Sequence, residues 1–174
     1  MKVNEINAKI EAEHGILASY PGDFFGYFGW PSIARMSDGT LVVAASGLRN
    51  AHVCPFGKTI LCMSTDNGVS WTPPAVVNDF PVDDRDAGVC SPAPDTLVVS
   101  WFSSDTRISA AVNNMDEWED TDKARLYRDG LSRITDTAAE SRTGYWVRVS
   151  RNRGESWDQP IRVALTAPHG SIAL

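Results

Sequence analysis

Ser64-Thr65-Asp66-Asn67-Gly68-Val69-Ser70-Trp71 is echoed further along the chain by Ser150-Arg151-Asn152-Arg153-Gly154-Glu155-Ser156-Trp157. The shared pattern is Ser-x-Asp/Asn-x-Gly-x-Ser-Trp. Asp66 or Asn152 can cap backbone N–H groups inside a tight turn. Gly68 or Gly154 supplies a positive φ. Trp71 or Trp157 offers a large apolar face for packing between sheets. Both octapeptides, with Ser64 and Ser150 at their heads, therefore read as structural turns.

The flanks of each octapeptide are short β-branched or aromatic runs separated by Gly, Pro, Asp and Asn clusters, the pattern of strands and turns. Strands are expected at Ser32–Met36, Thr40–Ser46, Thr59–Ser64 and Ala75–Val77, then at Ala87–Cys90, Thr96–Phe102, Gly144–Ser150 and Ile161–Val163. Ser37-Asp38-Gly39 and Pro94-Asp95 are hairpin turns. Each octapeptide falls between the third and fourth strand of its group. That is a four-stranded meander used twice, the signature of propeller blades. The fold class is all-β, a β-propeller of about two blades and the first strand of a third. Blade 1 covers about 30–80 and blade 2 about 84–165. Blade 3 begins at about 169–174. The stretch 103–143 is an insertion in blade 2, with good helix formers from Lys123 to Leu131. Loops of this length are usually either functional or disordered.

Composition bounds the rest. The chain has 174 residues and a net charge of -6, which argues against a phosphate-backbone partner. Its longest apolar run, Leu41–Ala45, is far short of the ~20 residues of a membrane span. Met1–Ile10 has no signal-peptide core, so a cytoplasmic location is expected. Cys54, Cys62 and Cys90 are odd in number and no export signal is read, so reduced thiols are expected; they form no CxxC pair, so neither a metal nor another cofactor is implied.

The octapeptides are Asp-boxes, and the chain resembles the sialidase (neuraminidase) superfamily from about Phe28 to Leu174. Gly29-Trp30-Pro31-Ser32-Ile33-Ala34-Arg35-Met36 looks like the opening of a sialidase first blade. Asp83-Asp84-Arg85-Asp86 with Thr96–Trp101 looks like the start of the second. The resemblance implies a six-bladed propeller and exo-hydrolysis of a terminal sialic acid. It implies a machinery of three arginines, an acid/base Asp and a Tyr nucleophile assisted by Glu. Two departures stand out. Gly29 occupies the position of the first arginine, and Gly47–Lys58, where the acid/base Asp would lie, contains no acid. The Tyr/Glu pair and the other arginines would lie beyond Leu174. Either a longer chain supplies the missing blades, or three copies self-associate into one ring.

Strand parity sorts the loops. The hairpin turns and Asp-boxes share one edge. Phe25–Trp30, Gly47–Lys58, Phe80–Asp86, Ser103–Thr143 and Ala167–Gly170 share the other. On that edge His52 is a candidate general acid or base, with Asp84 or Asp86 as its carboxylate. Arg49 and Lys58 are candidates to hold an anionic sugar, joined by Arg85 and His169. The alternative for Arg85 and Asp83 is a salt bridge that locks the loop. Trp30 and its neighbours Phe24, Phe25, Tyr27 and Phe28 form either a sugar-stacking platform or blade core. The expected function is exo-glycoside hydrolysis of a terminal anionic sugar, sialic or uronic. The alternatives are a non-catalytic carbohydrate-binding propeller and a polysaccharide lyase.

Overall fold

A computed structural model describes residues 14–108 and 121–165. It contains two antiparallel four-stranded sheets and two α-helices. The first sheet is a meander of β1 (Tyr27–Arg35), β2 (Leu41–Arg49), β3 (Lys58–Ser64) and β4 (Ala75–Asn78), paired in that order. The second repeats the arrangement with β5 (Asp83–Ala93), β6 (Thr96–Ser104), β7 (Gly144–Ser150) and β8 (Ile161–Val163). The start of a third unit, at 169–174, lies outside the described residues.

Two strands begin four or more residues earlier than the sequence pattern predicts, and both do so through a bulge. β1 starts at Tyr27, and its register with β2 shifts on either side of Gly29. Pro31 lacks the N–H that a regular ladder needs, so an irregular pairing suits it. Trp30 takes a left-handed φ of 51° there. β5 starts at Asp83 and shifts register between Arg85 and Gly88, with Asp86 at a φ of 50°. The acidic run Asp83-Asp84-Arg85-Asp86 is therefore strand, where a loop entry is predicted. Asp83, Asp84 and Arg85 meet partners that local sequence does not reveal.

The sheets pack face to face. Val42, Ala44 and Leu61 of the first meet Val89, Leu97, Val99, Trp101 and Trp146 of the second in one buried core. Their burial follows strand alternation, with the inward-facing residues apolar. The far face of the first sheet carries Ala45, Ile60 and Cys62, partly covered by Leu17, Phe28, Leu48 and Trp71.

The two octapeptide turns close with nearly the same bonds. Ser64 Oγ accepts the Gly68 N–H at 2.8 Å, and Ser150 Oγ accepts the Gly154 N–H at 2.8 Å. Asp66 Oδ1 accepts from Ser70 N at 2.9 Å, and Asn152 Oδ1 from Ser156 N at 3.0 Å. One bond reverses direction. Ser70 Oγ donates to Asp66, whereas the Asn152 amide donates to Ser156 Oγ. An amide nitrogen has only donors to offer.

The excursion between β6 and β7 holds α1 (Asp122–Ser132) and α2 (Asp136–Arg142). Thr121 caps α1 by accepting from Ala124 N at 3.2 Å, and Thr135 caps α2 by accepting from Ala138 N at 3.1 Å. Tyr127, Leu131, Ile134 and Ala139 form a second core with Cys54 and Val82. The excursion is thus packed onto loop 50–57 and turn 79–82. Phe80 touches both cores and has the Trp101 and Trp146 rings at 5.9 and 4.9 Å.

Candidate functional site

The second core brings loop 50–57, turn 79–82 and the excursion to one edge, as strand parity predicts. The opposite edge carries the short turns. Arg153 joins them there, reaching Asp38 at 2.7 Å and Asp95 at 3.2 Å.

At the loop-rich edge, register decides which side chains meet. Residues directly opposite each other on neighbouring strands share a face. Asp84 faces Ser103, and Arg85 faces Phe102, which in turn faces Tyr145. Asp84 therefore points one way, and Arg85 the other.

Asp84 is fully buried. Its carboxylate accepts from Ser103 Oγ at 2.6 Å, Asn78 Nδ2 at 2.7 Å and Phe80 N at 3.2 Å. Trp101 Nε1 donates to Ser103 Oγ at 3.1 Å, so Ser103 is held on both sides. Burial pushes the Asp84 carboxyl up to about 7 against these donors. The expectation that Asp84 stands at the mouth as a catalytic carboxylate is corrected. It ties Asn78 of the first sheet to Ser103 of the second, in the interior. A run of acids looks like a surface feature only while its partners, here Asn78 and Ser103, are unknown.

Arg49 is also misplaced by the sequence reading. It is fully buried and spends its donors internally. They reach Asp83 Oδ2 at 2.8 Å, the carbonyls of Asp84 and His52 each at 2.9 Å, and the carbonyl of Ala51 at 3.3 Å. Asp83 is fully buried beside it and also accepts from Cys54 N at 3.2 Å. Burial raises the Asp83 carboxyl to about 6, with Arg49 acting in the opposite sense. Gly57 makes this pair possible. A Cβ there would lie 2.0 Å from Asp83 Oδ1 and 2.5 Å from Arg49 Nη1. The expected lock between Asp83 and an arginine is present, and two arginines share it: Arg49 at 2.7 Å and Arg85 in a longer ion pair. Arg85 is 4.0 Å from Asp83.

Lys58 pairs with Asp79 in a separate cleft of about 210 Å³, lined by Phe56, Phe80, Gly130 and Arg133. It does not join the residues around His52. His169 lies outside the described residues. Asp86 is half-buried at the β5 bulge.

His52, Arg85 and Trp30 do come together. His52 is exposed, with its ring edge against Trp30 at a centroid distance of 4.9 Å. Arg85 Nη2 donates to His52 Nε2 at 3.3 Å. The Arg85 guanidinium lies over Trp30 at 5.2 Å and over Phe102 at 5.7 Å. Such a stack suits the flat, weakly hydrated guanidinium. Tyr27 stands 6.3 Å from Trp30, and Tyr145 stands 6.2 Å from Phe102. Phe24 and Phe25 pack on Phe56 instead, and Phe28 on the far face of the first sheet. The pairing of Trp30 with Arg85 and the role of Phe102 are not visible in the sequence. The one trace is Phe102 itself, an aromatic on the outward side of a strand whose inward neighbours are Trp101 and Ser103.

The His52 loop is fixed from both sides. Arg49 holds the His52 carbonyl, and Tyr127 of α1 donates to the Val53 carbonyl at 2.7 Å. Gly130 lets α1 approach closely, since a Cβ there would meet Phe56 Cζ at 2.4 Å. Among the described residues no three His, Cys, Asp or Glu side chains gather as a metal ion would require. No helix among them is long and apolar enough to cross a membrane.

No family model matches the sequence, and no curated protein matches it. Solved structures do share its fold. The Hadza microbial sialidase Hz136 is similar with a TM-score of 0.54 and 15% identity, over 78% of this chain and 25% of that one. A protein of unknown function from Dyadobacter fermentans DSM 18053 is similar with a TM-score of 0.50 and 19% identity, over 83% of this chain and 38% of that one. The chain thus spans well under half the length of either, and at these identities the likeness is one of fold.

Proposed function

We propose that the two sheets are blades of a sialidase-like propeller that binds the terminal anionic sugar of a glycan at the His52 edge and hydrolyses its glycosidic bond. The observation that carries this reading is the meeting of His52, Arg85 and Trp30. They offer a proton-handling imidazole, a cation and an aromatic face within one side-chain length of each other. With Asp84 sealed inside, this reading makes His52 the general acid or base and assigns the partner carboxylate to Asp86, half-buried at the β5 bulge.

A second reading, a binding propeller without chemistry, is favoured by the burial of Asp83 and Asp84. Two of the three carboxylates in the run cannot reach a sugar. Fluorogenic aryl glycosides of sialic and uronic acids separate the two. Turnover that falls at least about a hundredfold in His52→Ala supports hydrolysis. Sugar-acid binding without turnover supports the binding propeller. Absence of both overturns the assignment of this edge.

A further inference from the structure

We propose that Phe24, Phe25 and Phe56 form a seat for an apolar aglycone beside the sugar site, so that the preferred ligand is an aryl or alkyl glycoside of the anionic sugar. The inference rests on the reading of the His52 edge as an anionic-sugar site, and adds what the sugar is attached to.

Residues 15–34 hold six aromatic side chains and one charged one, Asp23, so the stretch is built for apolar contact. Phe24 and Phe25 are the two central residues of a β-turn, which Gly26 N closes on the Asp23 carbonyl at 3.1 Å. Turn centres favour Gly, Pro, Asn, Asp and Ser. The turn itself therefore gives no reason for two phenylalanines. Burial gives none for Phe25 either, since it is 43% exposed. Aromatic rings set side by side at an exposed turn tip point to a contact outside the chain.

The tip is held in place before any ligand arrives. A first turn, with Asp23 N on the Tyr20 carbonyl at 3.2 Å, leads into it, and a Cβ at Gly26 would lie 2.3 Å from that same carbonyl oxygen. The Phe24 and Phe25 rings stand edge to face at 4.8 Å, and both stand edge to face with Phe56, at 6.0 and 5.3 Å. Phe56 in turn packs closely on Gly130 of α1. An aromatic seat that is already ordered loses little conformational freedom on binding.

The seat is continuous with the sugar site. Two segments, 24–30 and 52–56, carry both. At one end Phe24 and Phe25 meet Phe56, and at the other Trp30 meets His52. Exposed Tyr27, 6.3 Å from Trp30, lies between the two ends on the first segment. Phe56 is four residues beyond His52, so their Cα atoms are at most ~14 Å apart. The chemistry of the seat then selects its occupant. A second sugar needs hydrogen-bonding groups for its hydroxyls, and three phenylalanine rings offer none. An anionic lipid surface needs cations, and residues 15–34 contain neither Lys nor Arg. An aryl or alkyl group needs only apolar area within reach of the sugar.

The test compares methyl and octyl glycosides of N-acetylneuraminate and glucuronate on the whole chain, with octyl glucoside as the neutral control. KM is read where the glycoside is turned over, and Kd where it is only bound. The expected value is at least about tenfold lower for the octyl than for the methyl glycoside. Any kcat should be alike for the two, because the seat holds ground state and transition state equally. Phe25→Ser, which leaves a good turn residue at an exposed position, removes the octyl preference and leaves the methyl glycoside as it was. Phe25→Tyr, which keeps the ring, retains the preference. Three results overturn this inference and leave the proposed function standing: equal values for octyl and methyl glycosides, an octyl preference that survives Phe25→Ser, or octyl glucoside binding as tightly as the octyl sugar acids. Phe25-dependent association with phosphatidylcholine vesicles in place of an octyl preference does the same, and assigns the tip to a lipid surface. Neither binding nor turnover of any sugar-acid glycoside overturns both.

Discussion

The two edges of the sheets are built on different principles. On the turn edge, two octapeptides separated by a whole sheet make nearly the same hydrogen bonds, and even the Asp66/Asn152 difference is absorbed by reversing one of them. On the loop edge nothing repeats. The first sheet contributes a short loop bearing His52, and the second contributes two helices that brace it through Tyr127 and Gly130. Repetition marks what the fold requires of every unit. Departure from repetition marks where side chains are arranged for something other than closing a turn.

The difference is first tested by stability. Asp83→Ala leaves Arg49 buried without its carboxylate, and a broken buried pair costs about 3–5 kcal/mol. Chemical denaturation should show a loss of that size, against ~1–2 kcal/mol for Ser64→Ala, which strands the Gly68 N–H. If Ser64→Ala were the more damaging, the loop edge would not be the tightly locked one.

Next in size is the internal symmetry of the turn edge. Ser64→Ala and Ser150→Ala should destabilise to the same extent within ~0.5 kcal/mol, because each removes the same 2.8 Å bond to a glycine N–H. A clear inequality would show that the two sheets do not use the turn equivalently.

The edges should also respond to pH with opposite sign. Asp83 and Asp84 are held above the ordinary carboxyl value of 3.8, at about 6 and about 7, by burial. The folded chain keeps protons there that the unfolded chain has lost. Their stabilising effect is therefore full below about 4 and disappears as pH rises through 6 to 7. Asp66 is lowered to about 2, first by the Ser70 hydroxyl and then by the Ser70 N–H. Its contribution is full above about 4 and disappears as pH falls toward 2. Amide exchange followed residue by residue should show loop-edge protection weakening from pH 5 to 8. Asp66→Asn should remove the acid sensitivity of the first turn and make it behave like the second. Parallel pH responses at both edges would contradict the burial described for Asp83 and Asp84.

The smallest effect is in the excursion. Thr121→Ala should cost ~1 kcal/mol by removing the cap on α1. Local exchange should rise in α1 and in loop 50–57 together, because Tyr127 and Gly130 couple them. An increase confined to α1 would mean that the helix does not brace the His52 loop.

The repeat in the sequence was enough to place both meanders, because turn chemistry and β-branched runs are local signals. The beginnings of β1 and β5 were not legible. Pro31 and the acidic run both look like breakers until their bulges and partners are known. At the site, strand parity predicts that the loops converge, and it places His52 and Arg85 on one edge. It does not tell a cation sealed in the interior or held in another cleft from one that reaches His52. Arg49 and Lys58 look as available as Arg85, and only the fold reveals that Asp83 and Asp79 hold them. Asp84 is lost to the interior for the same reason, since Asn78 and Ser103 reach it only after two sheets have packed.

The central claim is that the loop edge, at Trp30, His52, Arg85 and Phe102, recognises an anionic sugar. Chemical-shift mapping of the labelled protein during titration with N-acetylneuraminate or glucuronate tests it most directly. The account predicts saturable shifts concentrated on the Trp30 indole, the His52 ring and the Arg85 guanidinium, with the octapeptide turns unmoved. Shifts centred on the turns or on the Lys58 cleft, or none at either sugar acid, would contradict it.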